Sequence, residues 1–95
     1  MTSKQRAQLR SMAMTMAPTA QVGKSGITDT LIKQIDDQLE AREMIKVSVL
    51  QNSELDAKAV ANDIAEATSS EVVQVLGFKI TLYRVSKKEN FKHIL

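Results

Sequence analysis

The chain lacks cysteine, contains one histidine and has few aromatic residues: two phenylalanines, one tyrosine and no tryptophan. Without cysteine it can form neither disulfides nor thiolate metal sites, which is typical of proteins of the reducing cytoplasm, and we expect a cytoplasmic location. The single histidine, His93, lies near the C-terminus, so the sequence offers no convergent ligand set and no nucleophile with a positioned base. We therefore expect no metal, no cofactor and no enzymatic activity.

Long hydrophobic runs are also missing. The longest uncharged stretch, residues 11–23, is too short and too polar to cross a bilayer. Its apolar part, residues 12–17, follows Lys4, Arg6 and Arg10 as in a secretory signal, but it is shorter than the hydrophobic region of such signals. We expect neither a signal peptide nor a membrane partner.

The chain of 95 residues has only one proline and three glycines, so residues that interrupt helices and strands are few. Between them, apolar periodicity and capping residues predict seven elements. We predict a helix over 3–16, a strand over 19–22, a helix starting at Thr28 or Asp29, a strand over 44–50, a helix from a capping box at 53–56 to Thr68, and strands over 71–76 and 78–84 joined at Gly77.

The order α-β-α-β-α-β-β predicts an α/β fold, a two-layer sandwich with a four-stranded mixed sheet. Right-handed β-α-β crossovers would place the second and third helices on one sheet face, over residues such as Ile45, Val47, Val73 and Val75. The opposite face should be polar and exposed; it carries Lys46, Ser48, Gln74, Lys79, Thr81 and Tyr83. We expect one domain over residues 1–86 and a basic tail over 87–95.

Charge is distributed unevenly, although the net charge is only +2. Residues 1–26 contain four basic and no acidic residues, residues 27–72 four basic and ten acidic, and residues 73–95 five basic and one acidic. If the two ends meet in space they form a basic surface that attracts polyanions. The alternative is two separate solvated ends.

The turn Gly23-Lys24-Ser25-Gly26, between the first predicted strand and second helix, is the most informative motif. Its glycines allow close approach of a ligand to the backbone, the helix N-terminus offers unpaired N–H groups, and Lys24 and Ser25 add a charge and a hydroxyl. These features suit a phosphodiester, although glycines also end strands for geometry alone. A nucleotide-binding Walker A motif is excluded, because Pro18 stands where its first glycine is required.

The few aromatic residues favour recognition of a nucleic-acid backbone over reading of bases. We expect Phe78 to serve the core and Tyr83 to be the only plausible stacking platform. Met12 and Met16 are expected to fill the core.

Seven ordered segments of the chain together match a known family pattern: residues 4–6 (KQR), 9–10 (LR), 21–28 (QVGKSGIT), 39–43 (LEARE), 45–47 (IKV), 71–77 (EVVQVLG) and 82–84 (LYR). They resemble the CRM domain (chloroplast RNA splicing and ribosome maturation), specifically its free-standing bacterial YhbY-type members. The sequence departs from the family pattern at residues 13–15 and at 78–79.

The resemblance implies a fold like the C-terminal domain of bacterial translation initiation factor three and binding of RNA in precursors of the large ribosomal subunit, without catalysis or a small-molecule substrate. The residues expected to bind RNA are Gly23, Lys24, Ser25 and Gly26 of the loop, with Lys4, Arg6, Arg10 and Arg84 around it.

The leading hypothesis is therefore an RNA-binding assembly factor of the pre-ribosomal particle. One alternative is a protein-interaction module that docks on a ribosomal protein through its acidic helices. A small phosphate-handling enzyme is a third, but no general base with a credible partner lies near the loop.

Overall fold

A computed structural model describes residues 1–51 and 54–95, which form three helices and four strands. The elements are α1 (Ser3–Ala13), β1 (Ala20–Val22), α2 (Asp29–Arg42), β2 (Met44–Val49), α3 (Ala57–Thr68), β3 (Glu71–Leu76) and β4 (Lys79–Tyr83). Ser53 of the predicted capping box lies outside the described residues; Asp56 caps α3 by accepting the Lys58 N–H at 3.2 Å. The predicted order of elements is confirmed.

The strands form one mixed sheet in the order β1-β2-β4-β3. β1 runs parallel to β2, whereas β4 pairs antiparallel with both β2 and β3. β1 and β3 are therefore the two edges of the sheet, and the predicted four-stranded mixed sheet is confirmed.

The main core lies between the sheet and helices α2 and α3. The stripe Leu31, Ile35 and Leu39 of α2 and the stripe Val60, Ala61 and Ile64 of α3 are buried in one cluster with inward residues of β1, β2 and β4. Both crossover helices thus cover the same face, as predicted from the right-handed crossover rule.

The opposite face of the sheet is partly covered, which contradicts the prediction of an exposed face. Leu9 of α1 packs with Met44, Val73 and Tyr83 in a second buried cluster. Lys46 donates from Nζ to the Ala13 carbonyl at 2.7 Å, so α1 is fixed over the middle of the sheet. The periodic stripe of α1 was predicted, but no sequence pattern indicated which surface it covers.

A β-bulge in β3 explains why Val73 is on this second face. Val72 pairs with Leu82 and Gln74 with Thr81, so Val73 is the extra residue between them. An extra residue reverses the in–out alternation. The prediction that Val73 shares the main core with Val75 is therefore wrong; Val72 takes that place.

Helix α1 ends at Ala13, three residues before the predicted end. Tight turns follow, in which the Met14 N–H donates to the Ser11 carbonyl at 3.3 Å and the Met16 N–H to the Ala13 carbonyl at 3.1 Å. Met16 still packs on the second cluster, but Met12 is 37% exposed, so the prediction that Met12 fills the core is wrong.

Candidate functional site

The loop between β1 and α2 is a tight turn at one end of the sheet. The Gly26 N–H donates to the Gly23 carbonyl at 3.0 Å, and Gly26 has φ +69°, a left-handed conformation that favours glycine. Lys24 and Ser25, at the centre of the turn, are exposed. Apart from the adjoining residues of the chain, no described residue has a heavy atom within 4 Å of the position that a β-carbon would take at Gly23 or Gly26, so the loop is open to a ligand.

Unpaired N–H groups collect at this loop. Thr28 caps α2 by accepting the Leu31 N–H at 3.1 Å. Within the described part of the chain, the amides of Lys24, Ser25, Asp29 and Thr30 have no hydrogen-bond acceptor. Together with the positive end of the α2 dipole they suit an anion. The Asp29 carboxylate in the first turn partly offsets this potential.

The basic residues of α1 do not surround the loop. Arg6, which is half-buried, donates from one guanidinium nitrogen to the carbonyls of Val72 at 2.7 Å and Val73 at 3.1 Å. These carbonyls belong to the edge strand opposite β1 and lie about four residues along the sheet from the loop end. With roughly 4.8 Å between strands and 3.4 Å per residue, Arg6 lies roughly 20 Å from the loop.

Lys4 and Arg10 are exposed on α1. Within the described residues neither side chain has a hydrogen-bond or ion-pair partner, so both are available to a polyanion. They lie on the sheet face that α1 covers, away from the main core. At the C-terminal end of α1, the Ala13 carbonyl accepts from Lys46 of β2.

Arg84 lies at the other end of the sheet, between α2 and α3. Its guanidinium donates to the Asp36 carboxylate, to the Asp36 carbonyl at 3.0 Å and to the Thr68 carbonyl at 2.8 Å. The side chain is only 14% exposed. Arg84 therefore joins two helices of the core, and a direct RNA contact by Arg84 stays a prediction.

A polar row next to the loop was missed by the sequence reasoning. Gln21 of β1 pairs in register with Ser48 of β2, and Ser48 with Lys79 of β4, which places all three side chains in one line on the face opposite the main core. Phe78, which precedes Lys79, is 39% exposed. These residues line a cleft of about 310 Å³.

The predicted roles of the two aromatic residues are reversed in the structure. Tyr83 is 7% exposed and packs in the second cluster, so it offers no open ring face. Burial, with the charges of Glu43 and Glu71, raises the pKa of its hydroxyl. Phe78, expected in the core, lies in the two-residue turn between β3 and β4, where Gly77 has φ +59°.

A second cleft, of about 850 Å³, lies at the end of the sheet away from the loop. It is lined by Tyr83, Arg84 and His93, but also by Asp36 and Glu71. Its main cation is already paired with Asp36. This cleft is less suited to a polyanion than the loop.

Over residues 1–51 and 54–95, no three histidine or acidic side chains come together to hold a metal ion. Within the same described ranges, no helix has the length and apolar character that crossing a bilayer requires.

The fold and loop define a class of small α/β domain in which a glycine turn leads from an edge strand into the first crossover helix. The chain belongs to the CRS1/YhbY (CRM) domain family: the family model matches residues 1–84. The resemblance seen in the sequence is thereby confirmed.

Relatives of known name and structure agree with this assignment. The chain is 50% identical over 88 residues to "Probable RNA-binding protein YqeI" of Bacillus subtilis, covering 93% of this chain and 92% of that protein. It is 38% identical to "Probable RNA-binding protein MJ0652" of Methanocaldococcus jannaschii, covering 100% of this chain and 70% of that one. The solution structure of SAV1595 from Staphylococcus aureus superposes with a TM-score of 0.79 at 52% identity, covering 95% and 94% of the two chains.

Proposed function

We propose that this chain is an RNA-binding protein that binds the sugar-phosphate backbone through the Gly23–Gly26 loop. The observation that carries the proposal is the group of unpaired amides at the turn and the start of α2, with the exposed Lys24 beside them. Membership of the CRM family and the names of the relatives support RNA as the partner.

The RNA-contacting surface extends from the loop to Lys79, which lies two strands from β1 at the same end of the sheet. Lys4 and Arg10 on α1 lie farther from the loop and are exposed. Arg6 and Arg84 act mainly within the fold, where their guanidinium groups bind carbonyls and a carboxylate. Loop amides provide short-range contacts, and the lysines provide long-range attraction.

The target that we propose is RNA of the large-subunit ribosomal precursor, met in the cytoplasm, where the protein acts as an assembly factor without catalysing a reaction. The resemblance to the free-standing CRM proteins supports this choice. Recognition is by shape and backbone, because the loop offers amides and one charge but no aromatic ring.

The loop is tested with Lys24→Glu. We expect affinity for fluorescently labelled large-subunit rRNA hairpins to fall about ten-fold, by a similar factor for each hairpin, because a phosphate contact carries no sequence information. The slope of log K against log salt should become shallower by roughly 0.7 to 0.9 for the lost phosphate contact.

Lys88→Glu is the matched control, since it makes the same charge change on an exposed residue of the tail. An equal loss of RNA affinity in both variants would mean that binding depends on net charge and not on the loop. Association with ribosomal precursors that survives nuclease treatment of the complex would instead favour the protein-interaction alternative.

A further inference from the structure

We infer that the cleft formed by Gln21, Ser48, Lys79 and Phe78 holds one unstacked RNA base beside the phosphate at the Gly23–Gly26 loop. We call this cleft the base cleft. The inference rests on the proposed function and adds a contact that distinguishes single-stranded from fully paired RNA.

The base cleft adjoins the loop in the sheet. Val22, the last residue of β1, is in register with Val49, and the Val49 N–H donates to the Phe78 carbonyl at 2.8 Å. Gln21 is two residues before Gly23, a separation of roughly 7 Å along a strand. A nucleotide whose phosphate lies at the loop can therefore reach the cleft with its base.

Phe78 offers an aromatic surface at the rim of the base cleft. Its side chain is 39% exposed, in a turn that continues past the end of the sheet. The core does not need this ring, because Ile80 and Leu82 supply the buried residues of β4. Exposed aromatic rings stack on unpaired bases whatever the base, and RNA-binding sheets use them for this purpose.

The polar row supplies hydrogen-bonding groups that the fold leaves unused. Within the described residues, the side chains of Gln21, Ser48 and Lys79 make no hydrogen bond or ion pair. An amide and a hydroxyl can each donate and accept, so they fit the edge of a base, whereas the ammonium of Lys79 suits a phosphate.

Size and charge also favour a base over other occupants. The volume of about 310 Å³ is at the lower end of small-ligand sites. It suits one planar heterocycle and is too small for a cluster of large side chains from a protein partner. Among the described residues, no acidic side chain lines the base cleft, in contrast to the 850 Å³ cleft at the other end. A polyanion can therefore approach it without repulsion.

The test compares two seven-nucleotide RNAs, both with abasic ribose at the six flanking positions, one with a central adenosine and the other with a central abasic ribose. We expect the wild-type chain to prefer the adenosine RNA by roughly 5- to 150-fold, the range of one stacked base. Phe78→Leu should abolish most of this preference while binding of the abasic RNA stays within two-fold. Phe78→Tyr should retain the preference, because the ring is kept.

Phe91→Leu is the matched control, an aromatic-to-leucine change in the tail, where the Phe91 ring contacts His93. Gln21→Ala, on an exposed side chain of another strand, is the second variant and should lower the preference by a few-fold. Equal affinity of the wild-type chain for the two RNAs, or an unchanged preference in folded Phe78→Leu, would overturn the inference.

Failure of the base cleft and failure of the loop are distinguishable. Lys24→Glu should weaken both RNAs by the same factor and keep their ratio. If Lys24→Glu has no effect but Phe78→Leu removes the preference, the loop proposal fails and the base cleft stands. The reverse result removes the base cleft alone.

Discussion

Glu43 has the most unusual environment of any acidic residue in the described chain. Its side chain is fully buried, and its backbone has φ +66°. The carboxylate accepts the N–H groups of Ser86 at 2.6 Å and Ile94 at 2.9 Å and lies 2.5 Å from Nδ1 of His93. It thereby fastens the residues after β4 to the start of β2.

The charge of Glu43 makes this attachment depend on pH. Burial acts to raise the pKa of the carboxyl, but the two backbone amides and His93 outweigh burial and hold the pKa below its ordinary value. The folded protein therefore binds this proton less tightly than the unfolded chain does. The stabilisation is complete above the unfolded pKa of about 4.3 and is lost as pH falls through the lower folded value.

Glu43→Gln tests this assignment. At pH 7 we expect the free energy of unfolding to fall by about 2 kcal/mol, because a neutral amide cannot accept from all three groups as well as a carboxylate. Between pH 5 and pH 3 the variant should lose less stability than wild type in urea titrations. Glu66→Gln, on the exposed side of α3, should follow the wild-type curve; a parallel loss in Glu43→Gln and wild type would contradict the role of its charge.

The roles of single side chains were the least predictable from sequence. Phe78 and Tyr83 are both aromatic, and hydropathy does not separate them. Tyr83 is buried because Leu9 of α1 packs over it, a contact between residues 74 positions apart, whereas Phe78 follows Gly77 in a turn. Such contacts depend on tertiary packing and leave no local signal.

At the scale of elements, α1 is held to the sheet by few residues. Leu9 is fully buried in the second cluster, while Arg6 and Lys46 bind carbonyls at the two sides of the contact. The helix has its own capping box, in which Thr2 and Gln5 bond reciprocally at 3.0 and 3.1 Å. The buried apolar residues of α1 are Leu9 and the smaller Ala13, so its position on the sheet depends mainly on Leu9.

Leu9→Ala should lower the free energy of unfolding by about 3 kcal/mol, from lost burial and the cavity left under α1. Met12→Ala, at a 37% exposed position of the same helix, should change it by less than about 1 kcal/mol. Urea denaturation followed by circular dichroism measures both. A similar small effect at Leu9 would mean that α1 contributes little to the folded state.

Elements with strong periodic stripes and clear end signals were predicted well. The bounds of β3 and the start of α2 at Asp29 agree with the structure, because alternation marks the strand and Thr28 caps the helix. The end of α1 and the bulge at Val73 did not follow from the sequence. Residues that favour a helix continue past Ala13, so the sequence does not mark the end of α1. A bulge in a valine-rich strand leaves the hydropathy pattern unchanged.

At the scale of the whole molecule, the loop proposed to bind RNA and the contacts of Arg84 lie at opposite ends of the sheet. The loop and base cleft follow the end of β1, whereas Arg84 and the tail lie beyond the end of β4. The turn at Gly23–Gly26 was predicted from the sequence, since glycine spacing is local. The positions of the arginines relative to the loop could not be predicted, because they depend on the strand order. That order places β1 and β3 at opposite edges of the sheet.

Arg84→Ala tests this separation. We expect it to lower the free energy of unfolding by about 2 kcal/mol, through loss of its bonds to Asp36 and Thr68, while affinity for rRNA hairpins stays within two-fold at temperatures where the variant is folded. Lys88→Ala, an exposed change in the tail, should alter neither quantity. A ten-fold loss of RNA affinity in folded Arg84→Ala would restore a direct RNA contact.

The bulge at Val73 and the side chain of Arg6 together have a consequence for self-association. β3 is an edge strand, and a regular edge is a template on which a second chain can add its own strand and begin aggregation. Here the ladder is interrupted by the extra residue, and Arg6 occupies the carbonyls of Val72 and Val73 with a positive charge. Val73 and Arg6, which also hold α1 on the sheet, therefore make the β3 edge unsuited to pairing with a strand of a second chain.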